Sequence, residues 1–147
     1  MVTCTKKFEG LPFAHRQHSH DGHCAYIHGH SWTFQLTFAS DFPDANGFVL
    51  DFGKMGVLKE FFAHQFDHTL VIAESDPQLP LFKQMNNDGL CRLIVVDSPS
   101  AEGLATYVYS HVTALLSIIE QAGNPRNVRL VEVICFEEPK AFATFIP

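Results

Sequence analysis

His28-Gly29-His30-Ser31-Trp32-Thr33-Phe34-Gln35-Leu36-Thr37-Phe38-Ala39 alternates with a period of two: His28, His30, Trp32, Phe34, Leu36 and Phe38 share one parity. That pattern makes the stretch a strand with one apolar face, ending in two imidazoles on that same face. A strand with one apolar face needs a cover. The flanking sequence supplies candidates. Residues 2–9 read as a strand before it. Residues 10–27, rich in Gly, His and Ser, read as a loop. Ser40 to Gly47 reads as a turn centred on Asn46-Gly47, and Phe48-Val49-Leu50-Asp51-Phe52 as a returning strand.

Further along, Met55, Leu58, Phe61, Phe62 and Phe66 recur at helical spacing, which predicts a helix over 53–65. Glu74 to Gly89 is polar and reads as irregular. Leu93-Ile94-Val95-Val96 reads as a short strand. Ser98 or Ser100 is a cap for a second helix with Pro99 in its first turn, and Leu104, Val108, Val112, Leu115, Leu116 and Ile119 form its stripe. Ala122-Gly123-Asn124-Pro125 ends it. Residues 127–137 and 141–146 close the chain as two strands. The expected fold class is α+β: one domain over 1–147, an antiparallel sheet of paired strands, and two helices on one face. Open sheet edges favour association into a homo-oligomer.

Composition narrows the function. The 147 residues carry a net charge of −6 with histidines neutral, which argues against general nucleic-acid binding. No apolar run is long enough for a bilayer, and the N-terminal residues lack an apolar signal segment, so the expected location is the cytoplasm. The 4 cysteines are irregularly spaced, as free thiols in a reducing compartment would be. The 14 phenylalanines predict an aromatic core.

Six of the 9 histidines fall between His15 and His30. His28 and His30, two apart on a strand, can converge on one ion. His15, at the end of the first strand segment, is the natural third ligand. Three protein ligands with a fourth position open is the pattern of a catalytic zinc. His18, His20 and His23 are alternative ligands or, as we favour, solvated loop residues. Cys24, four residues before His28, is a candidate base or acid, since a thiol near a metal and imidazoles is competent for proton transfer. Cys4, Cys91 and Cys135 read as small buried hydrophobes. Asp67-His68 is either an oriented carboxylate–imidazole pair, which would need a turn there, or a helix N-cap beside an exposed histidine. Glu137 shares parity with Val131, Val133 and Cys135. It is a candidate carboxylate at the end of an inward row, suited to a guanidine-like edge with paired N–H donors. No Gly-x-Gly-x-x-Gly fingerprint for a nicotinamide cofactor occurs.

Phe13-Ala14-His15-Arg16, Cys24-Ala25-Tyr26-Ile27-His28-Gly29-His30-Ser31, Gly47-Phe48-Val49-Leu50-Asp51-Phe52, Phe66-Asp67-His68, Pro99-Ser100-Ala101-Glu102 and Glu137-Glu138-Pro139 occur in that order. Jointly, and over nearly the whole chain, they resemble the 6-pyruvoyltetrahydropterin synthase and 6-carboxytetrahydropterin synthase family. The resemblance implies a tunnelling fold assembled as a barrel-forming hexamer with active sites between subunits. It implies Zn2+ on His15, His28 and His30. It implies proton transfer by Cys24, Asp67 and His68, shared across an interface, and pterin anchoring by Glu137. The compact Cys-x-x-x-His-Gly-His spacing resembles the carboxy-forming branch. The implied reaction converts 7,8-dihydroneopterin triphosphate to 6-carboxy-5,6,7,8-tetrahydropterin, acetaldehyde and triphosphate, on the way to 7-deazaguanine nucleosides such as queuosine. Lys6, Lys7, Arg16 and Lys54 are candidate triphosphate contacts. The alternatives are triphosphate elimination to the pyruvoyl product, a metal-dependent pterin or purine binding protein without turnover, and a histidine-rich structural module.

Overall fold

The computed structural model describes residues 1–125 and 127–147. The elements in chain order are β1 (Val2–His15), β2 (His28–Ser40), α1 (Gly56–Phe66), β3 (Thr69–Ala73), α2 (Leu79–Asn87), β4 (Leu93–Val96), α3 (Ala101–Gln121), β5 (Arg129–Glu138) and β6 (Ala141–Phe145). One sheet holds all six strands in the order β4-β3-β1-β2-β5-β6. β1–β2, β2–β5 and β5–β6 pair antiparallel, as expected. The other edge corrects the all-antiparallel expectation: β1–β3 and β3–β4 are parallel. Among the described residues no helix is long and apolar enough to cross a membrane.

The alternating face of β2 carries the main core. Trp32, Phe34, Leu36 and Phe38 are fully buried under α1 and α3. α1 contributes Leu58, Phe62 and Phe66, four residues apart on one stripe. Phe62 stacks on Phe8 at 4.3 Å between ring centroids, and Phe13 stacks on Trp32 at 4.5 Å. The phenylalanine-rich composition is therefore a packed aromatic layer, each ring contributing about 1.5–3 kcal/mol by burial. α3 adds Leu104, Val108, Val112 and Ile119.

A third helix was not expected. α2 buries only Phe82, too little for a visible stripe in a polar segment. With Pro80 in its first turn, it closes a second apolar cluster with Leu70 and Ile72 on the opposite side of β3. Every residue of β3 is buried because both its faces are covered. Thr69 to Ala73 is accordingly a continuous apolar run rather than an alternating one.

Three boundaries also differ. Residues 48–52 form no strand. Val49 and Leu50 plug the core, but the Asp51 amide donates to Asn124 Oδ1 at 2.6 Å. The Asp51 carboxylate accepts from Gly53 N at 2.8 Å, which starts a 3-10 turn. Pro99 lies before α3 rather than in it, and Ser100 is the cap, accepting from Gly103 N at 3.0 Å. The first strand does not stop at residue 9 but runs to His15 through a bulge. There Phe8 pairs with Phe34 and Leu11 with Trp32, so Glu9 and Gly10 together oppose Thr33. Gly10 supplies the left-handed backbone at φ 65. The extra residue switches parity: Phe8 faces the core before it, and Leu11, Phe13 and His15 after it.

Candidate metal centre

The bulge brings His15 onto the face that carries His28 and His30. His15 pairs directly across the ladder with His28, and Phe13 with His30. Trp32 forms the floor, its ring edge-on to His15 at 4.9 Å and to His30 at 5.5 Å. One ligand atom from each histidine lies within 4.8 Å of the others, so the three could hold a metal ion.

The hydrogen bonds around the rings fix which nitrogens are available. His15 Nδ1 lies 2.8 Å from the Pro99 carbonyl and His28 Nδ1 2.7 Å from the Tyr26 carbonyl. A carbonyl only accepts, so both Nδ1 atoms carry the proton and both Nε2 atoms present lone pairs. Those two Nε2 atoms face each other at 3.1 Å. A proton shared between them would leave a cationic pair. Burial, and then the neighbouring His28 and His30, push the His15 pKa below its ordinary value despite the opposing Pro99 bond and the Glu137 charge. His30 Nε2 is buried and has no hydrogen-bond partner among the described residues. Glu137 Oε1 is 3.2 Å away, close enough for an ion pair but out of line for a hydrogen bond. Three converging imidazole nitrogens are a donor set that a borderline cation such as zinc satisfies.

Two of the three histidines, His15 and His28, line a cleft of about 440 Å³ with Cys24, Ser100, Glu137 and Lys140, among others, and His30 lies behind Glu137. Cys24 sits in a 3-10 turn (His23–Ala25) whose base is tied down. Gln17 N donates to the Cys24 carbonyl at 2.8 Å, and Arg16 reaches the Ala25 carbonyl at 3.3 Å. Glu137 follows buried Val133 and Cys135 on the inward parity and turns its carboxylate into the cleft.

Asp67 and His68 lie outside that cleft, in a depression with Glu60, His64 and Arg92, and His68 also borders a second depression that His30 lines. Asp67 is the C-cap of α1, not an N-cap. The turn that the pair requires is present: His68 is left-handed at φ 57, and its Nδ1 sits 2.5 Å from Asp67 Oδ1. Arg92 holds the turn by donating to the carbonyls of Ala63, His64 and Asp67. In a single chain the pair is therefore formed but does not reach the cleft.

The loop histidines do not join the cluster. His18 contacts Ser75 Oγ at 3.2 Å, His20 accepts from Gly22 N at 2.9 Å, and His23 is exposed. All four cysteines are free. Of the three cysteines expected to be buried, only Cys135 is, while Cys4 and Cys91 are half-buried at the margins of the two apolar clusters; burial raises the pKa of all three, most strongly for Cys135.

None of the four cations read as phosphate contacts lines the cleft. Arg16 is paired with Asp76, Lys54 lies 3.8 Å from Asp51, and Lys6 and Lys7 lie over the rings of Phe52 and Phe136. The cation at the cleft is Lys140, in the turn between β5 and β6, which sequence reasoning missed. Its position directly after Glu137-Glu138-Pro139 was the available signal.

The family model described as 6-pyruvoyl tetrahydropterin synthase matches residues 3–147. The chain belongs to that family. Its members are lyases. Among curated relatives, a 6-carboxy-5,6,7,8-tetrahydropterin synthase of Rickettsia felis is 29% identical, covering 94% of this chain and 99% of its own. One of Bacillus subtilis is 29% identical over 86% of this chain and 72% of its own. The fold is shared with an uncharacterised protein of Wolinella succinogenes at 19% identity and a TM-score of 0.81, covering 99% and 97% of the two chains. It is shared also with the 6-pyruvoyl tetrahydropterin synthase of Caenorhabditis elegans at 21% identity and a TM-score of 0.65, over 99% and 95%.

Proposed function

We propose that this member of the family is a cytoplasmic zinc-dependent lyase. It takes 7,8-dihydroneopterin triphosphate and water to 6-carboxy-5,6,7,8-tetrahydropterin, acetaldehyde and triphosphate, a step toward 7-deazaguanine nucleosides such as queuosine. The observation that carries the reading is the convergence of His15, His28 and His30 within 4.8 Å, beside a cleft that His15 and His28 line together with Cys24 and Glu137. The names of the curated relatives favour the carboxy-forming product.

His15, His28 and His30 hold the zinc, which when bound supplies Lewis acidity toward oxygens of the substrate side chain. Cys24, on the rim beside the triad, moves protons at the side-chain carbons. Glu137, a third exposed, accepts the paired N–H donors of the pterin ring. The Asp67–His68 pair serves the cleft of a neighbouring copy in a hexamer, with Asp67 holding the imidazole that exchanges protons with Cys24's substrate. Hydrogen redistributed within the substrate reduces the ring, so no nicotinamide is used.

A second reading, elimination of triphosphate to the pyruvoyl product, is favoured by the description of the family model. Incubation with 7,8-dihydroneopterin triphosphate and mass spectrometry decides. We expect acetaldehyde with the 6-carboxy product. A pyruvoyl product without acetaldehyde selects the second reading. If no pterin is turned over, and Cys24→Ala binds pterins as tightly as the wild type, the protein is a binder rather than an enzyme.

A further inference from the structure

We infer that Gly103, which touches no ligand nitrogen, is a positioning residue for the metal centre, because it admits the segment that sets the tautomer of His15. The inference rests on the metal-binding reading of the triad.

Gly103 is the third residue of α3. Glycine there weakens the helix by about 1 kcal/mol relative to alanine. Its backbone is not in the left-handed region, so conformation does not demand it. Proximity does. A Cβ at Gly103 would lie 2.3 Å from Ser98 O, 2.5 Å from Ser98 Cβ and 2.7 Å from Ser98 Oγ, closer than any real Cβ contact. Two of these atoms are not the far end of a flexible side chain, so Ser98 itself would have to move. The approach is part of a small network. Gly103 N donates to Ser100 Oγ at 3.0 Å, and Ser98 Oγ lies 3.0 Å from Ser100 Oγ. The segment from Ser98 to Ser100 is thereby folded over the first turn of α3.

Pro99 is the middle residue of that fold, buried, and its carbonyl takes the His15 Nδ1 proton at 2.8 Å. This bond leaves Nε2 of His15 as a lone pair facing the cleft. A group that holds a ligating imidazole by its other nitrogen sets both its tautomer and its aim. Displacing Ser98 outward carries Pro99 with it and releases Nδ1. The freed ring can then carry its hydrogen on Nε2, the nitrogen that faces His28, and cannot ligate through that atom. His28 is held independently by the Tyr26 carbonyl, so the effect is selective for His15.

The test is Gly103→Ala, read in two ways. Long-range 1H–15N NMR of the metal-free protein reports which nitrogen of each histidine carries hydrogen. We expect His15 and His28 both protonated at Nδ1 in the wild type. In the variant His15 alone should move to a mixture, and zinc affinity by chelator competition should fall about 10- to 100-fold. Retention of the Nδ1 tautomer at His15 overturns the inference, even if the variant is less stable, since that would mark Gly103 as helix packing only. Wild-type zinc affinity in the variant overturns it as well. If the wild type binds no zinc while Gly103→Ala still shifts the His15 tautomer, the metal reading fails and only the control of the His15 tautomer by Gly103 stands. If Gly103→Ala fails to fold, Pro99→Gly keeps the carbonyl but loosens the segment. The same His15-selective change is then expected, and its absence refutes the inference.

Discussion

Arg16 commits its charge to the interior. Its Nε and one Nη donate to the two oxygens of Asp76 at 2.7 and 2.8 Å, and its guanidinium lies over the Phe82 ring at 5.6 Å. The Asp76 side chain is wholly buried. From the sequence Arg16 reads as a free cation beside a metal ligand, because its partner stands 60 residues away and nothing local announces the pair. The consequence is structural: the pair ties the turn between β3 and α2 to the base of the loop that carries Cys24. The hydrogen bonds from Arg16 are the largest cause holding the Asp76 carboxyl below the ordinary carboxylate range. The folded pKa lies below the unfolded one, so this stabilisation is fully present above about pH 4 and is lost as pH falls through the folded value. Asp76→Asn should therefore cost about 2–4 kcal/mol at pH 7. The gap between variant and wild type in urea unfolding should narrow on acidification below pH ~4. A gap that does not change with pH would mean that the charge is not what holds the loop.

At the scale of elements, one inserted residue in β1 decides whether the site exists. The parity of β2 was legible because its alternation is unbroken over six inward residues. The parity of β1 was not, because Glu9-Gly10 interrupts it, although a lone glycine within a strand pattern is itself a bulge signal. α2 and β3 escaped notice for opposite reasons, one burying a single ring and the other covered on both faces. The bulge account makes an ordered prediction for three variants. Gly10→Ala meets no atom within 4 Å of the new Cβ, so it carries only the left-handed backbone penalty of about 1–2 kcal/mol. Its Tm should drop by several degrees with zinc stoichiometry unchanged. Gly10→Asn should lose less, since asparagine tolerates that conformation better. Deleting Gly10 removes the parity switch, so His15 cannot face His28 while Phe8 stays in the core, and zinc binding should be abolished. Thermal melts with metal analysis check the order. Wild-type zinc content in the deletion variant would contradict the account.

Across the whole molecule, the residues proposed to transfer protons are divided. Cys24 lines the cleft with His15 and His28, whereas Asp67–His68 lies past the end of α1, with the His68 side chain 84% exposed. The adjacency of Asp67 and His68 was legible in the sequence, and so was the triad. Their separation came only from the family resemblance, because from residues alone it depends on where β1 and β3 run side by side after α1. An exposed, preformed carboxylate–imidazole pair, held in a left-handed turn by Arg92, has little reason to be so ordered for one chain alone. It suits a second copy that brings its own cleft to it, in the closed assembly we propose. The prediction is complementation. Cys24→Ala and His68→Ala should each be inactive as pure assemblies. Dissociated, mixed in equal amounts and reassembled, they should regain activity. A site that takes Cys24 from one copy and His68 from another is intact in about a quarter of random pairings, so the mixture should approach that fraction of wild-type turnover. If both residues served a cleft within one chain, every site would lack one of them, and the mixture would stay as inactive as its parents.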